Sequence, residues 1–343
     1  MPHFFSICIA AYRAERFIGD CLRSIANQKC CDYEVVIVDD GSPDPLVVDP
    51  ELVSRLNKCR VLRTANAGPY AARQRAFDEA SGEVILSLDA DDELLDSKAL
   101  DKLRNALDDG AEVVLFNASS SKNAPESMFD LSILGPGGVV EPQVIWNAYT
   151  TGYSLNSLSC KAFKRTLYTT GERRRRPRLL MAEDRLQSLE VMMGARAFHL
   201  IDEPLYFYRP NRASTTNAGY DPTYFRQQCY VEEEVLAFMR GRGMALDGWA
   251  SYFLCHTSNV LLGLRYNSSI GRAGRMAAYG AVAGERAVRE AMCFMGSVNL
   301  PAIVRARLSL LRAGRFSALD ASMFPWKVGS VLKHTPDGWR RKE

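Results

Sequence analysis

No Cys-x-x-Cys pair, no Gly-x-Gly-x-x-Gly stretch and no long apolar run occurs in the 343 residues. The first absence removes the usual zinc and dithiol motifs. The second removes the dinucleotide fingerprint of dehydrogenases. The third removes a transmembrane helix, which needs about 18 or more apolar residues in a row. Histidine is scarce, with four residues at 3, 199, 256 and 334 and no ligand spacing among them. No glycine precedes Gly19, so the first strand is not followed by a glycine-rich phosphate loop of the nucleotidyltransferase kind. The nine cysteines are scattered and odd in number, and Cys30 and Cys31 are too close in sequence to bridge readily. Reduced thiols in a cytoplasmic protein are expected. The opening "MPHFFSICIAAYRAERF" lacks a basic n-region, and no secretory signal is expected from it.

The composition that is present is ordinary for a soluble globular chain: 47% hydrophobic and 24% charged. The net charge of +3 is unevenly placed. Residues 301–343 hold nine Lys/Arg and three Asp/Glu, a net of +6, which leaves 34 basic against 37 acidic residues elsewhere, a net of −3. Such a tail suits an anionic surface, and equally a solvated basic face.

The first 120 residues alternate strand and helix. "FFSICIA" (4–10), "YEVVIVDD" (33–40), "RVLRTA" (60–65), "EVILSLD" (83–89) and "EVVLFNA" (112–118) read as strands. "AERFIGDCLRSIANQ" (14–28), "GPYAARQRAFDEA" (68–80) and "SKALDKLRNALDDG" (97–110) read as helices. This rhythm predicts an α/β fold with a mostly parallel sheet, whose ligands bind beyond the carboxyl ends of the strands. Residues 119–155, rich in Ser, Gly and Pro, read as a loop or an excursion. "FHLID" and "LYFYR" read as two short strands, a helix is expected near 182–194, and the pattern is helical from about 222.

Acids gather where ligands are expected. "VILSLDADDELL" (84–95) runs from buried apolar residues into Asp89, Asp91 and Asp92, and "VVIVDD" ends in Asp39 and Asp40. Carboxylates this close repel and resist ionisation near low-dielectric surroundings. A divalent cation such as Mg²⁺, which takes one or two carboxylates plus phosphate oxygens, would relieve them. A solvated acidic turn is the alternative.

Three ordered stretches, "SICIAAYRAERFIGDCLRSIANQ", "YEVVIVDDGSPD" and "NAGPYAARQRAFDEASGEVILSLDADDEL", resemble the family 2 glycosyltransferases of GT-A fold. The resemblance is dense over 4–96, patchy through 157–216 and faint after that. It implies a Rossmann-like GT-A domain over residues 1–216 and a helical region over 217–343. It implies transfer of a sugar from a nucleotide diphosphate donor, most simply a UDP-sugar, to a glycan or lipid-linked saccharide. It places Ala10, Ala11, Tyr12, Glu15, Asp39, Asn66, Gly68, Arg73, Asp89, Ala90, Asp91 and Arg212 around the nucleotide sugar. Asp39 would accept from the uracil N3–H, and Gly68 would open a helix whose N–H groups suit phosphate oxygens. "LDADD" matches the DxD motif, with Mn²⁺ or Mg²⁺ on Asp91 and Asp89. "MAEDRLQS" matches the Glu-Asp motif, with Asp184, seconded by Glu183, as general base in the inverting members. Relatives more often carry Pro at 10 or 11 and Asn at 13, where this chain has Ala and Arg13.

Weaker features remain. "GERRRRPR" (171–178) suits a lipid diphosphate or a solvated loop. Arg209, Arg212 and Ser214 would approach the diphosphate as a loop closes. "IVRARLSLLRAGRF" (303–316) is basic and amphipathic, suited to an anionic membrane face or to packing on the protein. Two rival readings are kept: a phospho-accepting receiver-like module, against which a full strand and helix precede the acidic pair, and a catalytically inactive sugar-binding relative, against which stand Asp39, Asp89, Asp91 and Asp184. No nucleic-acid partner is expected.

Overall fold

The computed structural model describes residues 4–169, 176–210 and 221–323. They form two compact units. One holds the described residues of 4–148 and 154–210, the other those of 149–153 and 221–323.

The strands of the first unit are β1 (Phe5–Ala11), β2 (Tyr33–Asp39), β3 (Cys59–Arg63), β4 (Val84–Asp89), β5 (Glu93–Leu94), β6 (Val113–Ser119), β7 (Gly138–Val140), β8 (Lys161–Lys164) and β9 (Phe198–Phe207). Its helices are α1 (Ile18–Ala26), α2 (Pro50–Ser54), α3 (Pro69–Glu79), α4 (Ala99–Asp108), the start of α5 (Pro142–Thr151), α6 (Arg165–Thr169) and α7 (Glu183–Met192). The strands make one mixed sheet in the order β3-β2-β1-β4-β8-β6-β9-β5, with β7 also paired to β9. Strands β3, β2, β1 and β4 are mutually parallel, and β8 runs antiparallel between β4 and β6. The predicted α/β sheet with flanking helices is the fold observed.

The apolar runs of β1, β2 and β4 are buried because helices cover them. Ile7, Ile9, Val35, Ile37, Leu86 and Leu88 share one core with Ile18, Leu22 and Ile25 of α1 and Leu100, Leu103 and Leu107 of α4. Each such side chain contributes roughly 1.5–3 kcal/mol on burial.

One expectation is refined and one is corrected. Residues 119–155 are not merely a loop: they include a 3₁₀ turn (Ser132–Leu134), β7 and α5. Glycines at positive φ, at 135, 137 and 138, supply the loop-like composition, while Ile145 and Trp146 bury the helix. "FHLID" and "LYFYR" are one ten-residue strand, β9. Its register against β6 shifts between Phe116 and Ala118. The exposed pair Asp202 and Glu203 falls at that irregularity, which is why the apolar pattern breaks there.

The second unit holds α8 (Pro222–Gly241), α9 (Asp247–Tyr266), α10 (Arg272–Gly284), α11 (Arg286–Met292), α12 (Ala302–Arg312) and α13 (Phe316–Ser322). Trp249 is buried, stacks on Phe253 and donates its indole N–H to Glu232 at 2.8 Å. Val304, Leu308 and Leu311 turn the apolar face of α12 inward, and Ile303 is half exposed. Among the described residues no helix is long and apolar enough to cross a membrane.

Candidate active site

From β1 the chain builds β2 and β3 on one side and then returns to β4 on the other. Beyond the carboxyl ends of β1 and β4 lies the switch point where open α/β sheets take ligands. Ala11 is in register with Asp39, and Ala10 with Asp89. The two acid-bearing strand ends therefore flank the end of β1.

Each acid has a distinct environment. Asp40 accepts the N–H groups of Ala67 and Gly68, both at 2.8 Å. The Gly68 N–H is thus committed to Asp40 rather than left open at the start of α3. The turn depends on glycine: Gly41 has φ +68°, and a Cβ there would meet the Asn66 nitrogen at 2.7 Å. Asp39 is buried and accepts from the Ser42 N–H (2.9 Å), the Leu46 N–H (3.2 Å) and Arg63 (3.3 Å). Burial pushes its carboxyl up, but Ser42, Leu46 and Arg63 together hold it below its ordinary value.

At the end of β4, Asp89 accepts from Arg73 Nη2 (2.9 Å), Ser159 Oγ (2.9 Å) and, more weakly, Tyr206 OH (3.4 Å). Burial opposes its ionisation, and the Arg73 charge with these bonds outweighs burial. Ala90 is buried in the turn, and Asp91 is partly exposed. Asp92 is 2% exposed and accepts from Tyr206 OH (2.6 Å) and the Arg209 N–H (2.8 Å). Burial, then the charges of Asp89 and Asp91, push it up to about 8.

Arg73, from α3, joins this cluster to the start of α7. It is 5% exposed, and its Nη1 lies 2.6 Å from Asp184 Oδ1 and 3.6 Å from Glu183 Oε1. Gln187, also on α7, accepts from the same nitrogen at 3.4 Å and donates to the Tyr70 carbonyl at 3.2 Å. Asp184 Oδ1 is buried, yet the side chain is 32% exposed, so the rest of that side chain faces outward. Burial pushes Asp184 above the ordinary carboxyl range and Glu183 up to about 7; Arg73 opposes both shifts. A guanidinium held by acids from two elements is committed to bridging them.

The remaining predicted residues are not among the bonded acids and Arg73. Tyr12 and Glu15 are exposed near the end of β1, and Arg13 adopts φ +52°, a left-handed conformation that Asn takes more easily. Asn66 is exposed and accepts from Arg178. Arg176, of the arginine run, forms an ion pair with Glu190 at 2.9 Å. Arg209 does not stand free for a diphosphate: it donates to the Asp91 carbonyl (2.8 Å), Asp20 (3.0 Å) and Glu93 (2.6 Å). Arg173–Arg175, Arg212, Ser214 and the basic residues after 323 lie outside the described residues. Sequence reasoning missed Ser159, Tyr206 and Gln187. Only Tyr206 carried a signal, as a polar-tipped aromatic in a buried strand.

Among the described residues no three His, Cys, Asp or Glu side chains are grouped to hold a metal by themselves. A hard cation needing one or two carboxylates plus phosphate oxygens does not require such a group. Asp91, which is partly exposed, and Asp89 are the carboxylates that would hold one; burial, then the charges of Asp89 and Asp91, raises Asp92.

Comparison with known proteins adds an independent finding. The family described as Glycosyl transferase family 2 matches residues 6–168. EpsH of Bacillus subtilis (strain 168) is 27% identical over 243 residues, covering 68% of this chain and 69% of that protein. The poly(ribitol-phosphate) beta-N-acetylglucosaminyltransferase TarS of Staphylococcus aureus (strain MW2) is 27% identical over 214 residues, 61% of this chain but only 36% of TarS. The crystal structure of S. aureus TarS 1–349 in complex with UDP-GlcNAc superposes with a TM-score of 0.70 at 19% identity, covering 93% of this chain and 90% of that one. At that identity the likeness speaks for the fold.

Proposed function

Residues 6–168 belong to glycosyl transferase family 2, and from that premise we propose that the chain moves a sugar from a UDP-sugar to a hydroxyl of a glycan or lipid-linked saccharide, with inversion. The observation that supports this reading is Arg73, which ties the strand-end acid Asp89 to the helix-start acid Asp184; we assign the first to the donor and the second to the acceptor. The UDP-GlcNAc complex of the TarS fold supports the choice of base.

Asp39 and the ends of β1 and β4 bind and orient the nucleotide. Asp91, with Asp89 beside it, would hold Mn²⁺ or Mg²⁺, which neutralises charge on the departing diphosphate. Asp184 takes the proton of the acceptor hydroxyl as that oxygen attacks the anomeric carbon. Its raised affinity for protons, set by burial, makes it a stronger base than a solvated carboxylate. Arg73 fixes the carboxylate so that the single displacement starts from one geometry.

The test is calorimetric titration with UDP, GDP and CDP, with and without Mn²⁺ or Mg²⁺, beside transfer assays. UDP is expected to bind tightly only with metal. Asp91→Asn is expected to lose that dependence, and Asp184→Asn to retain UDP while losing transfer. Equal donor binding by Asp91→Asn and wild type overturns the metal assignment. UDP binding without transfer by the wild type favours an inactive sugar-binding relative.

A further inference from the structure

Lys161 opens β8 and is 1% exposed. Among the described residues its ammonium group donates to two acceptors, both backbone carbonyls: Leu155 at 2.7 Å and Ser157 at 2.5 Å. Burying an ammonium ion against neutral acceptors is costly. Burial accordingly pushes Lys161 down to about 8, opposed by Cys160 and Asp184. A methionine or leucine would fill the same space without that cost, so the geometry of the clipped segment is the evident return.

That segment, residues 155–159, touches Asp89 and the helix that carries Glu183 and Asp184. Ser159 Oγ donates to Asp89 at 2.9 Å. Asn156 Oδ1 accepts from Arg185 at 2.8 Å, and the Asn156 carbonyl accepts from Ser188 at 2.8 Å. Arg185 and Ser188 lie on α7, whose first turn carries Glu183 and Asp184. Residues 155–159 thus form a second link between β4 and α7, separate from Arg73.

We propose that Lys161 is a positioning residue for sugar transfer: it clips residues 155–159, and through them keeps Asp89 and the α7 acids in register. This rests on the roles given above to Asp89 and Asp184. Lys161 itself is buried and acts through the carbonyls it holds.

The full chain is compared as wild type, Lys161→Met, Ser159→Ala/Asn156→Ala, and all three substitutions combined. In Lys161→Met, amide exchange over 154–160 is expected to rise about tenfold or more while β1 and β2 stay protected. UDP affinity is expected to hold within about threefold, and kcat to fall about a hundredfold, as for a misplaced catalytic group. The combined variant is expected to be little worse than Lys161→Met, because one clip governs both contacts. Unchanged exchange over 154–160 overturns the clip, whatever the wild type binds. Full additivity, or unchanged kcat with faster exchange, overturns the positioning role. Should Lys161→Met fail to fold, the double variant decides: its clip is intact, so it must lower kcat with UDP affinity kept, and an unchanged kcat overturns the proposal. A wild type that binds no nucleotide refutes the donor reading instead, and the exchange data still judge the clip.

Discussion

Ala182 stands immediately before Glu183 and Asp184 with φ 63° and ψ 11°, and it makes no side-chain cap to α7. A Cβ in the left-handed region costs roughly 1–2 kcal/mol. Strain of this kind persists where the surroundings over-determine a residue, often beside functional groups. Here it sets the angle at which α7 starts, and so where its two acids meet Arg73. Replacing Ala182 by Gly removes the clash and adds unfolded-state entropy of about 0.5–1 kcal/mol, so the net expectation is a gain of about 0.5–1 kcal/mol. Urea denaturation of the two proteins checks this, and a loss of stability would mean that the Ala182 methyl group packs more than it strains. Asp89, Asp91 and Asp92 were legible in the sequence because charge clustered at the end of an apolar run, whereas Glu183 and Asp184 stood out only through the family resemblance. Ala182 was not legible, since a backbone angle leaves no trace in residue type when the residue is not Gly or Asn.

At the scale of one element, α12 shows how far pattern goes. Its basic amphipathic sequence was readable, and so was an apolar face. Which arginine turns inward was not. Arg307 is 7% exposed; among the described residues its Nη1 reaches only Ser258 Oγ at 3.4 Å, and its Nε has no partner. Burial pushes its guanidinium below the ordinary value. Helical period gives each residue an angle about the axis, but not the direction from which neighbouring helices approach. A buried cation with so few partners is a cost to the element that carries it. Arg307→Met keeps the aliphatic stem and removes the charge, so denaturation should show a stability gain of about 1–2 kcal/mol. Marked destabilisation would mean that the charge itself contributes to the folded state. The same limit explains β9. Its two apolar halves were read correctly as strand, but the Asp202–Glu203 irregularity hid that they form a single element.

For the sheet unit as a whole, the parallel half was legible because continuous apolar runs mean strands covered on both faces. One residue breaks that rule inside β2. Glu34 is fully buried, and its Oε1 accepts from Ser6 Oγ (2.8 Å), the Ser81 N–H (2.6 Å) and Ser81 Oγ (2.7 Å). Its Oε2 lies 3.3 Å from Arg60 and 3.5 Å from Lys58. One carboxylate thereby ties β1, β2, β3 and the turn before β4. Burial pushes it up, but the Ser81 and Ser6 hydrogen bonds and the Arg60 charge prevail and lower it from 4.5 to about 2. A depressed carboxyl stabilises the fold above its unfolded value, and that contribution fades as pH falls from 4.5 toward 2. The difference corresponds to about 3 kcal/mol at pH 7. Glu34→Gln cannot ionise, so its stability should lie below wild type by about that amount at pH 7 and converge with it near pH 2. Urea denaturation of both proteins across this range is the measurement. A gap independent of pH would show that the glutamine disturbs packing, and that the charge of Glu34 does not hold the sheet together.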